Sequence, residues 1–332
     1  MMTRVLVIGA GAWGTALAML LARNGHQALL WDSNVDHITD LQASGSNDRH
    51  LPGIQFPAGV EPVTSIENLL DSLTVIVIAV PCEGLRDVMA ILQGRNPGKL
   101  MLCLASKGLD PNTLGLNHLV VKEYLGDVPV AVLSGPSFAA EVAAGLPTAV
   151  TIAAEKNTTA EFFSDLFHSD FFRTYTNDDI IGVQISGAVK NVMAIAAGIA
   201  DGLGYGTNAR AAMITRGLAE ITRLGVAMGG RQETFMGLAG LGDLVLTCTD
   251  DQSRNRRLGL LLARGKSQAQ AVAEIGQAIE GLKTVKVINK LAGDYGIEMP
   301  ISEQVFNVLY KDVPVQEAVQ VLLARDRKPE IS

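Results

Sequence analysis

Residues 4–18, RVLVIGAGAWGTALA, decide the fold of the N-terminal half. Arg4 to Ile8 is a short apolar run of β-branched type, the composition of a strand. Gly9, Gly11 and Gly14 follow in the pattern G-x-G-x-x-G, and Ala16 to Arg23 carries helix formers up to the stop at Asn24–Gly25. Gln27 to Trp31 is a second apolar run. The glycine pattern alone is weak, but strand, turn, helix and second strand around it give it meaning. The first glycine permits the tight turn, the second lets the backbone approach a pyrophosphate, and the third lets helix and strand pack closely. The unpaired N–H groups and the positive end of the helix then face the pyrophosphate, so the stretch predicts a nicotinamide dinucleotide site.

Asp32 ends the second strand, 18 residues after Gly14. An acidic residue there accepts hydrogen bonds from the adenosine ribose hydroxyls, which favours NAD. The plainer alternative is an Asx turn or a cap for the helix that follows. Residues 32–36, DSNVD, offer no Arg or Lys for a 2′-phosphate.

Further along, apolar runs and helical stretches alternate. Val35 to Ala43 reads as a helix. Leu73 to Val80 (LTVIVIAV, ended by Pro81) reads as a strand buried on both faces. Glu83–Leu92 is a helix, Leu100–Leu104 a strand, Leu114–Leu125 a helix and Val130–Leu133 a strand, and 148–175 holds two strand candidates around a helix. This alternation predicts an α/β Rossmann-like, doubly wound domain. From Ile180 onward the pattern is helical, with stretches near 183–201, 207–228, 256–264, 267–275, 281–294, 302–310 and 315–324, and glycine-containing loops at 202–206 and 237–242. The expected organisation is a dinucleotide-binding domain over residues 1–182 followed by an all-α C-terminal domain over 183–332 that binds substrate and carries the catalytic group.

Composition agrees with two packed domains: 332 residues, against roughly 150 per domain. The chain is 48% hydrophobic and 18% charged, too apolar for disorder. A net charge of −7 argues against nucleic acid as a partner, so any phosphate must meet a local cluster of donors. Cys82, Cys103 and Cys248 form no C-x-x-C pair and have no histidine beside them, so no metal site is expected and small core residues in a reducing compartment are. The N-terminal run VLVIGAG is too short for a leader. No 18-residue apolar stretch lacks a charge or a glycine, so no membrane span is expected and the protein is read as cytoplasmic.

Four groups of residues carry chemistry. Ser106–Lys107–Gly108 follows a strand, at the sheet edge where open α/β folds bind ligands. Ser134-Gly-Pro-Ser-Phe-Ala-x-x-Glu141 likewise follows a strand and opens a helix; for both, a plain turn is the alternative. Lys190 sits in GVQISGAVKNVMAIAAGIADG, where burial lowers a lysine pKa toward the range of a general acid/base; a snorkelling lysine is the alternative. Gly240–Leu244 precedes Thr247 and the run Ser253–Arg254–Asn255–Arg256–Arg257, where a guanidinium fork and an amide suit a phosphate and a solvated helix start is the alternative.

Together these stretches resemble the bacterial soluble NAD(P)-dependent sn-glycerol-3-phosphate dehydrogenase family over nearly the whole chain. The resemblance is carried by GAGAWGTALA (9–18), SKGL (106–109), SGPSFAAE (134–141), GAVKN (187–191), NARAAMITRGLAE (208–220) and the long GLAGLGDLVLTCTDDQSRNRRLG (237–259). It implies reversible hydride transfer between NAD(P)H and C2 of a small phosphorylated three-carbon substrate, interconverting dihydroxyacetone phosphate and sn-glycerol 3-phosphate for phospholipid synthesis. It also implies that Lys190 is the general acid/base. By the resemblance, Lys107, Gly135, Ser137, Lys190, Asp243, Ser253, Arg254 and Asn255 would line the substrate site, with Arg254 and Asn255 on the phosphate. Asn191 and Thr247 join them as second members. Cofactor positions are Gly9, Gly11, Ala12, Trp13, Gly14, Asp32, Ser33, Lys107, Ala139, Arg254 and Glu280, and the expected assembly is a homodimer. Family members that use NADPH readily carry a basic residue or histidine just after the second strand. Here Asp32–Ser33–Asn34 departs from that pattern. The rival readings are a dehydrogenase of the same plan acting on another hydroxy acid or sugar acid, a dinucleotide sensor without catalysis, and a protein-interaction module suggested by the apolar helical half.

Overall fold

In the computed structural model, which describes residues 2–94, 99–327 and 329, the opening run forms strand β1 (Arg4–Ile8) and the stretch after the glycine turn forms helix α1 (Ala12–Arg23). The outermost residues of both assigned domains, 1 and 332, lie outside the described residues. Strands β2 (Gln27–Trp31), β3 (Val60–Val63), β4 (Val75–Ile78), β5 (Met101–Leu104), β6 (Val130–Ser134), β7 (Thr148–Ala154) and β8 (Phe172–Asn177) complete one sheet of order β3-β2-β1-β4-β5-β6-β7-β8. The first six strands are parallel, β7 pairs antiparallel to β6, and β8 runs parallel to β7. The strand order reverses between β1 and β4, and the carboxyl ends of strands at such a reversal form the ligand crevice of open α/β sheets.

Helices α2 (Val35–Ser44), α3 (Leu85–Leu92), α4 (Asn117–Leu125), α5 (Ala139–Ala144) and α6 (Asn157–Phe167) join α1 in covering the sheet. Alternation along β1 divides its side chains between two cores. Val5 and Val7 pack with Leu17, Leu21 and Phe163 on one face, and Leu6 and Ile8 pack with Ile76, Ile78 and Met89 on the other. Burial on both faces is why β1 and β4 read as unbroken apolar runs.

Among the differences from the sequence reading, three have a plain physical cause. β3 (VEPV) has no apolar signal because it is a half-exposed edge strand, the position that tolerates its Pro62. The helix expected from Leu114 starts at Asn117, since Leu114 adopts a left-handed φ of 59°. The run Leu73–Val80 pairs only over 75–78, and Ala79 and Val80 turn against Gly9.

The helical half comprises α7 (Ile180–Gly202), α8 (Gly206–Ala227), α9 (Gln232–Phe235), α10 (Asp243–Thr249), α11 (Arg254–Ala263), α12 (Gln268–Ile275), α13 (Glu280–Asp294), α14 (Pro300–Tyr310) and α15 (Val315–Leu323). α9 and α10 escaped the sequence reading because elements of four and seven residues show too little periodicity. The glycine stretch expected as a loop at 237–242 is a π-helical turn over Leu238–Gly242 that runs straight into α10. α7 is long and apolar enough to cross a membrane, with a mean hydropathy of 1.5, but 89% of its apolar window is buried inside the molecule. It is the central helix of this half, with α8, α10, α11, α13 and α14 packed around it. Gly198 on α7 and Gly259 on α11 let the two backbones touch: a Cβ on either would lie 2.1 Å from a carbonyl oxygen of the other helix. Glu220 of α8 is buried and accepts from the N–H groups of Ile301 (2.7 Å) and Ser302 (3.2 Å) at the start of α14. That bond pair fastens the C-terminal helices to α8, while burial pushes the carboxyl up to about 6.

Candidate active site

The glycine turn is built around one close contact. A Cβ at Gly14 would lie 1.9 Å from the carbonyl oxygen of Gly9, and Gly9 itself has φ +109°. A Cβ at Gly11 would meet nothing within 4 Å, so that side of the turn is open. No side chain caps α1, which leaves the first-turn N–H groups of Ala12, Trp13 and Gly14 directed at that opening. This arrangement fits a dinucleotide pyrophosphate. Gly14→Ala is expected to weaken NADH binding at least about tenfold, since backbone must move to accept the methyl; fluorescence titration with NADH checks it, and unchanged affinity would show that the turn is not the pyrophosphate seat.

Asp32 braces the turn from below. Its Oδ2 accepts from the Ala10 N–H (2.9 Å) and its Oδ1 from the Asn34 N–H (3.0 Å). The Asx-turn reading of Asp32 is thus realised, and Asn34 rather than Asp32 caps α2, accepting from the His37 N–H at 3.0 Å. The Ala10 carbonyl is met by Asn47 Nδ2 (2.9 Å) and by His37 Nε2 (3.1 Å). Ser33 is exposed beside Asp32. His37, Asn47 and His50 escaped the sequence reading because no spacing signals them; they come from α2 and the segment after it. His50 stands edge-on to His37, with ring centroids 5.4 Å apart. Burial lowers its pKa, as do the charges of His37 and Arg49, while Asp32 opposes them and Arg254 also reaches it.

The second assembly lies where the strand ends meet the helical half. Lys107 follows β5 and donates from Nζ to the Gly135 carbonyl (2.8 Å), to Ser137 Oγ (3.2 Å) and to Asp243 Oδ2 (2.9 Å). Lys190, in the middle of α7, donates to Asp243 Oδ1 (2.6 Å) and to Thr247 Oγ1 (3.1 Å). Two ammonium groups therefore share one carboxylate, whose side chain is 1% exposed. Burial alone would raise the Asp243 carboxyl, but Lys107 and Lys190 overcome this and hold it below the usual carboxylate range. Burial is also the largest influence on Lys190: with the repulsion of Lys107 it outweighs Asp243 and brings the ammonium down to about 8. Lys190 is thus a buried, paired lysine and not a snorkelling one. The Trp13 indole donates to the Ala105 carbonyl (3.1 Å), and Lys107 Nζ lies 5.9 Å from its ring centroid, so the dinucleotide turn and the lysine pair adjoin.

A ring of two amides and a carboxylate closes beside this pair, with Glu280 within range of both lysine charges. Asn255 Nδ2 donates to Asn191 Oδ1 (2.9 Å), Asn255 Oδ1 accepts from the Gly281 N–H (2.9 Å), and Asn191 Nδ2 donates to Glu280 Oε2 (3.3 Å). Burial raises the Glu280 carboxyl, against the pull of Arg254, Lys190 and Lys107. Ser253 caps α11 by accepting the Arg256 N–H at 3.2 Å. The basic run expected as one cluster is divided. Arg254 is exposed, with its charge felt at Glu280 and His50, whereas Arg256 is buried and paired with Asp201 (2.5 Å) and Asp251 (2.9 Å). Helical spacing sends residues two apart to opposite sides, which a run of arginines in sequence conceals. The Asn255 side chain is likewise committed within the ring, leaving its backbone N–H at the start of α11 for a ligand. Ala139 begins α5, half-buried, and the same helix reaches the α11 side through Gln252 Nε2 donating to Glu141 Oε1 (3.0 Å).

A separate cavity of about 440 Å³ lies beside β7 and β8, lined by Thr151, Asn177, Val183 and Arg231 among others, and shares no residue with the site above. Arg231 there is already paired with Asp178. Among the described residues no group of three or more His, Cys, Asp or Glu is placed to hold a metal ion. Burial pushes the thiols of Cys82 and Cys248 up to about 12, which leaves them unreactive at neutral pH.

Comparison with known proteins gives the same picture along the chain. Residues 4–160 match the model of the NAD-dependent glycerol-3-phosphate dehydrogenase N-terminus, and residues 179–320 match that of its C-terminus. The glycerol-3-phosphate dehydrogenase (NAD(P)+) of Nitrosococcus oceani is 53% identical over 328 residues, covering 98% of this chain and 95% of the relative. That of Thioalkalivibrio sulfidiphilus is 51% identical over 327 residues, covering 98% of each chain. The crystal structure of glycerol-3-phosphate dehydrogenase from Coxiella burnetii is similar with a TM-score of 0.95 at 47% identity, covering 98% of this chain and 99% of that one.

Proposed function

The chain belongs to the NAD-dependent glycerol-3-phosphate dehydrogenase family, and from that premise we propose that Lys190 is the proton donor and acceptor of its reaction, with Lys107, Asp243 and Arg254 holding the substrate around it. The enzyme interconverts sn-glycerol 3-phosphate and dihydroxyacetone phosphate with NAD(P)H. The observation that carries the assignment of Lys190 is its place: a buried amine near 8, bonded to Asp243, at the carboxyl edge of the sheet beside the dinucleotide turn.

Gly9, Gly11, Ala12, Trp13 and Gly14 would hold the pyrophosphate, with Asp32 and Ser33 toward the adenosine ribose and Lys107, Ala139, Arg254 and Glu280 completing the cofactor's surroundings. When bound, the reduced dinucleotide would supply the hydride that C2 receives in reduction, and the oxidised dinucleotide would take up the one that C2 surrenders in oxidation. Lys190 protonates the oxygen at C2 as the carbonyl is reduced, and its neutral amine removes the hydroxyl proton in the reverse direction. Lys107 and Asp243, with Gly135 and Ser137, fix the oxygens of the three-carbon chain. The start of α11 takes the phosphate, through the Arg254 guanidinium and the backbone N–H groups that follow Ser253. The helical half is proposed to shield this space from water where it packs on the strand ends, at the junction of Lys107 with Asp243.

Steady-state kinetics with NADH and NADPH, on dihydroxyacetone phosphate against a panel of 2-keto acids, tests the reading. Turnover of the keto acids in place of dihydroxyacetone phosphate would favour the alternative dehydrogenase. Arg254→Ala is expected to raise KM for dihydroxyacetone phosphate about 10- to 100-fold, the value of one lost charge-assisted contact of about 1.5–3 kcal/mol. An unchanged KM would remove Arg254 from the phosphate. The proposal includes a homodimer in the cytoplasm, resting on the family resemblance, and sedimentation equilibrium decides the first part.

A further inference from the structure

We propose that Lys107 sets the proton affinity of Lys190, acting through the single Asp243 carboxylate to which both ammonium groups are bonded. The inference rests on Lys190 being the acid/base, and it adds to Lys107 a task distinct from touching the substrate. The geometry divides one negative charge between two cations: Oδ1 faces Lys190 at 2.6 Å and Oδ2 faces Lys107 at 2.9 Å. Lys107 is the more firmly held of the two, since the Gly135 carbonyl and Ser137 Oγ take its remaining N–H groups. It comes from the sheet, whereas Lys190 and Asp243 come from α7 and α10, so its charge is applied from across the cleft. Its stem runs past Gly187, one turn before Lys190 on α7: a Cβ there would lie 3.8 Å from Lys107 Cβ and Cγ.

Among the described residues, three other groups face Lys190. Thr247 Oγ1 accepts from it and donates its own O–H to the Asp243 backbone carbonyl at 2.6 Å. Cys248 of α10 stays a neutral thiol. Glu280 of α13 adds a second negative charge, itself drawn on by Arg254 of α11 and by both lysines. With Lys107 in place, Lys190 therefore receives part of a carboxylate together with the repulsion of a second cation. Without it, Lys190 holds Asp243 undivided, keeps its proton to higher pH and is a poorer base near neutrality.

The test is the pH profile of kcat/KM for dihydroxyacetone phosphate reduction, which reports groups in the free enzyme. Lys107→Met keeps the stem and deletes the charge. Its alkaline break is expected to move up by about one unit or more, the size of a neighbouring-charge effect. Lys107→Arg keeps the charge and is expected to leave the break at its native position. Turnover falls in both variants, so the position of the break is the measurement. Lys107→Gln provides a second neutral variant should Lys107→Met fold poorly, and NADH titration shows that each variant is intact. A break that stays in place in both neutral variants overturns the proposal. A break that persists in Lys190→Met overturns instead the reading of Lys190 on which it rests.

Discussion

Lys190→Ala lowers kcat for dihydroxyacetone phosphate reduction by at least about a hundredfold, the usual scale of general acid/base catalysis, while NADH affinity is retained. Both halves of this expectation follow from position. Lys190 lies on the helical side of the cleft and among the described residues bonds to Asp243 and Thr247, so its loss leaves the dinucleotide turn, built from β1 and α1, untouched. The pH dependence has a definite sign. With the ammonium near 8, the protonated form required for reduction predominates below that pH, and reductive kcat/KM falls tenfold per unit above it. Oxidation of glycerol 3-phosphate needs the neutral amine and rises through the same pH to a plateau. Near-native turnover of the alanine variant, or a native profile flat through pH 9, would remove Lys190 from this role.

Asp243→Ala is expected to damage folding and turnover together. It leaves two ammonium groups, with side chains 8% and 14% exposed, without their shared counter-charge. Removing one partner of a buried ion pair costs about 3–5 kcal/mol, because the remaining charge stays desolvated. Lys190 then sheds its proton near neutrality, and the acid needed for reduction is gone. Asp243→Asn keeps the shape and an acceptor but not the charge; it is expected to recover part of the stability and little of the activity. The stability has its own pH dependence. Asp243 titrates lower when folded than its ordinary value of 3.8, so its contribution is complete above that value and is lost as the pH falls through the lower folded one. Denaturant titration of both variants from pH 3 to 7, beside kcat, checks this. An asparagine variant with native stability and activity would show that the carboxylate is dispensable.

The fold was legible wherever local pattern and burial agree. Runs such as Val75–Ile78 are apolar throughout because helices cover both faces of the strand. The three glycines were legible because a tight turn against a helix start excludes a side chain at Gly14 for a reason internal to that segment, and the left-handed φ of Gly9 does the same there. β3 was illegible for the opposite reason: a half-exposed edge strand containing a proline has no apolar pattern to read. The π-helical turn at Leu238–Gly242 looked like a loop because small residues mark both.

The site divides along the same line. By itself the sequence determined which residue types are present and which short segments carry them: the glycine turn, a lysine after a strand, a lysine in an apolar helix, and a basic run beside Asp243. Those are properties of neighbours in the chain, and local sterics and hydrophobicity suffice for them. Tertiary structure alone decided that Lys107 and Lys190, 83 positions apart, meet on one carboxylate, that Arg256 turns inward to Asp201 while Arg254 stays outside, and that Asp32, expected at the adenosine ribose, also braces the glycine turn through the Ala10 N–H. The physical reason is range. Charge sharing and desolvation act between groups a few ångströms apart in space, and only the packing of α7 and α10 against the strand ends brings those groups together.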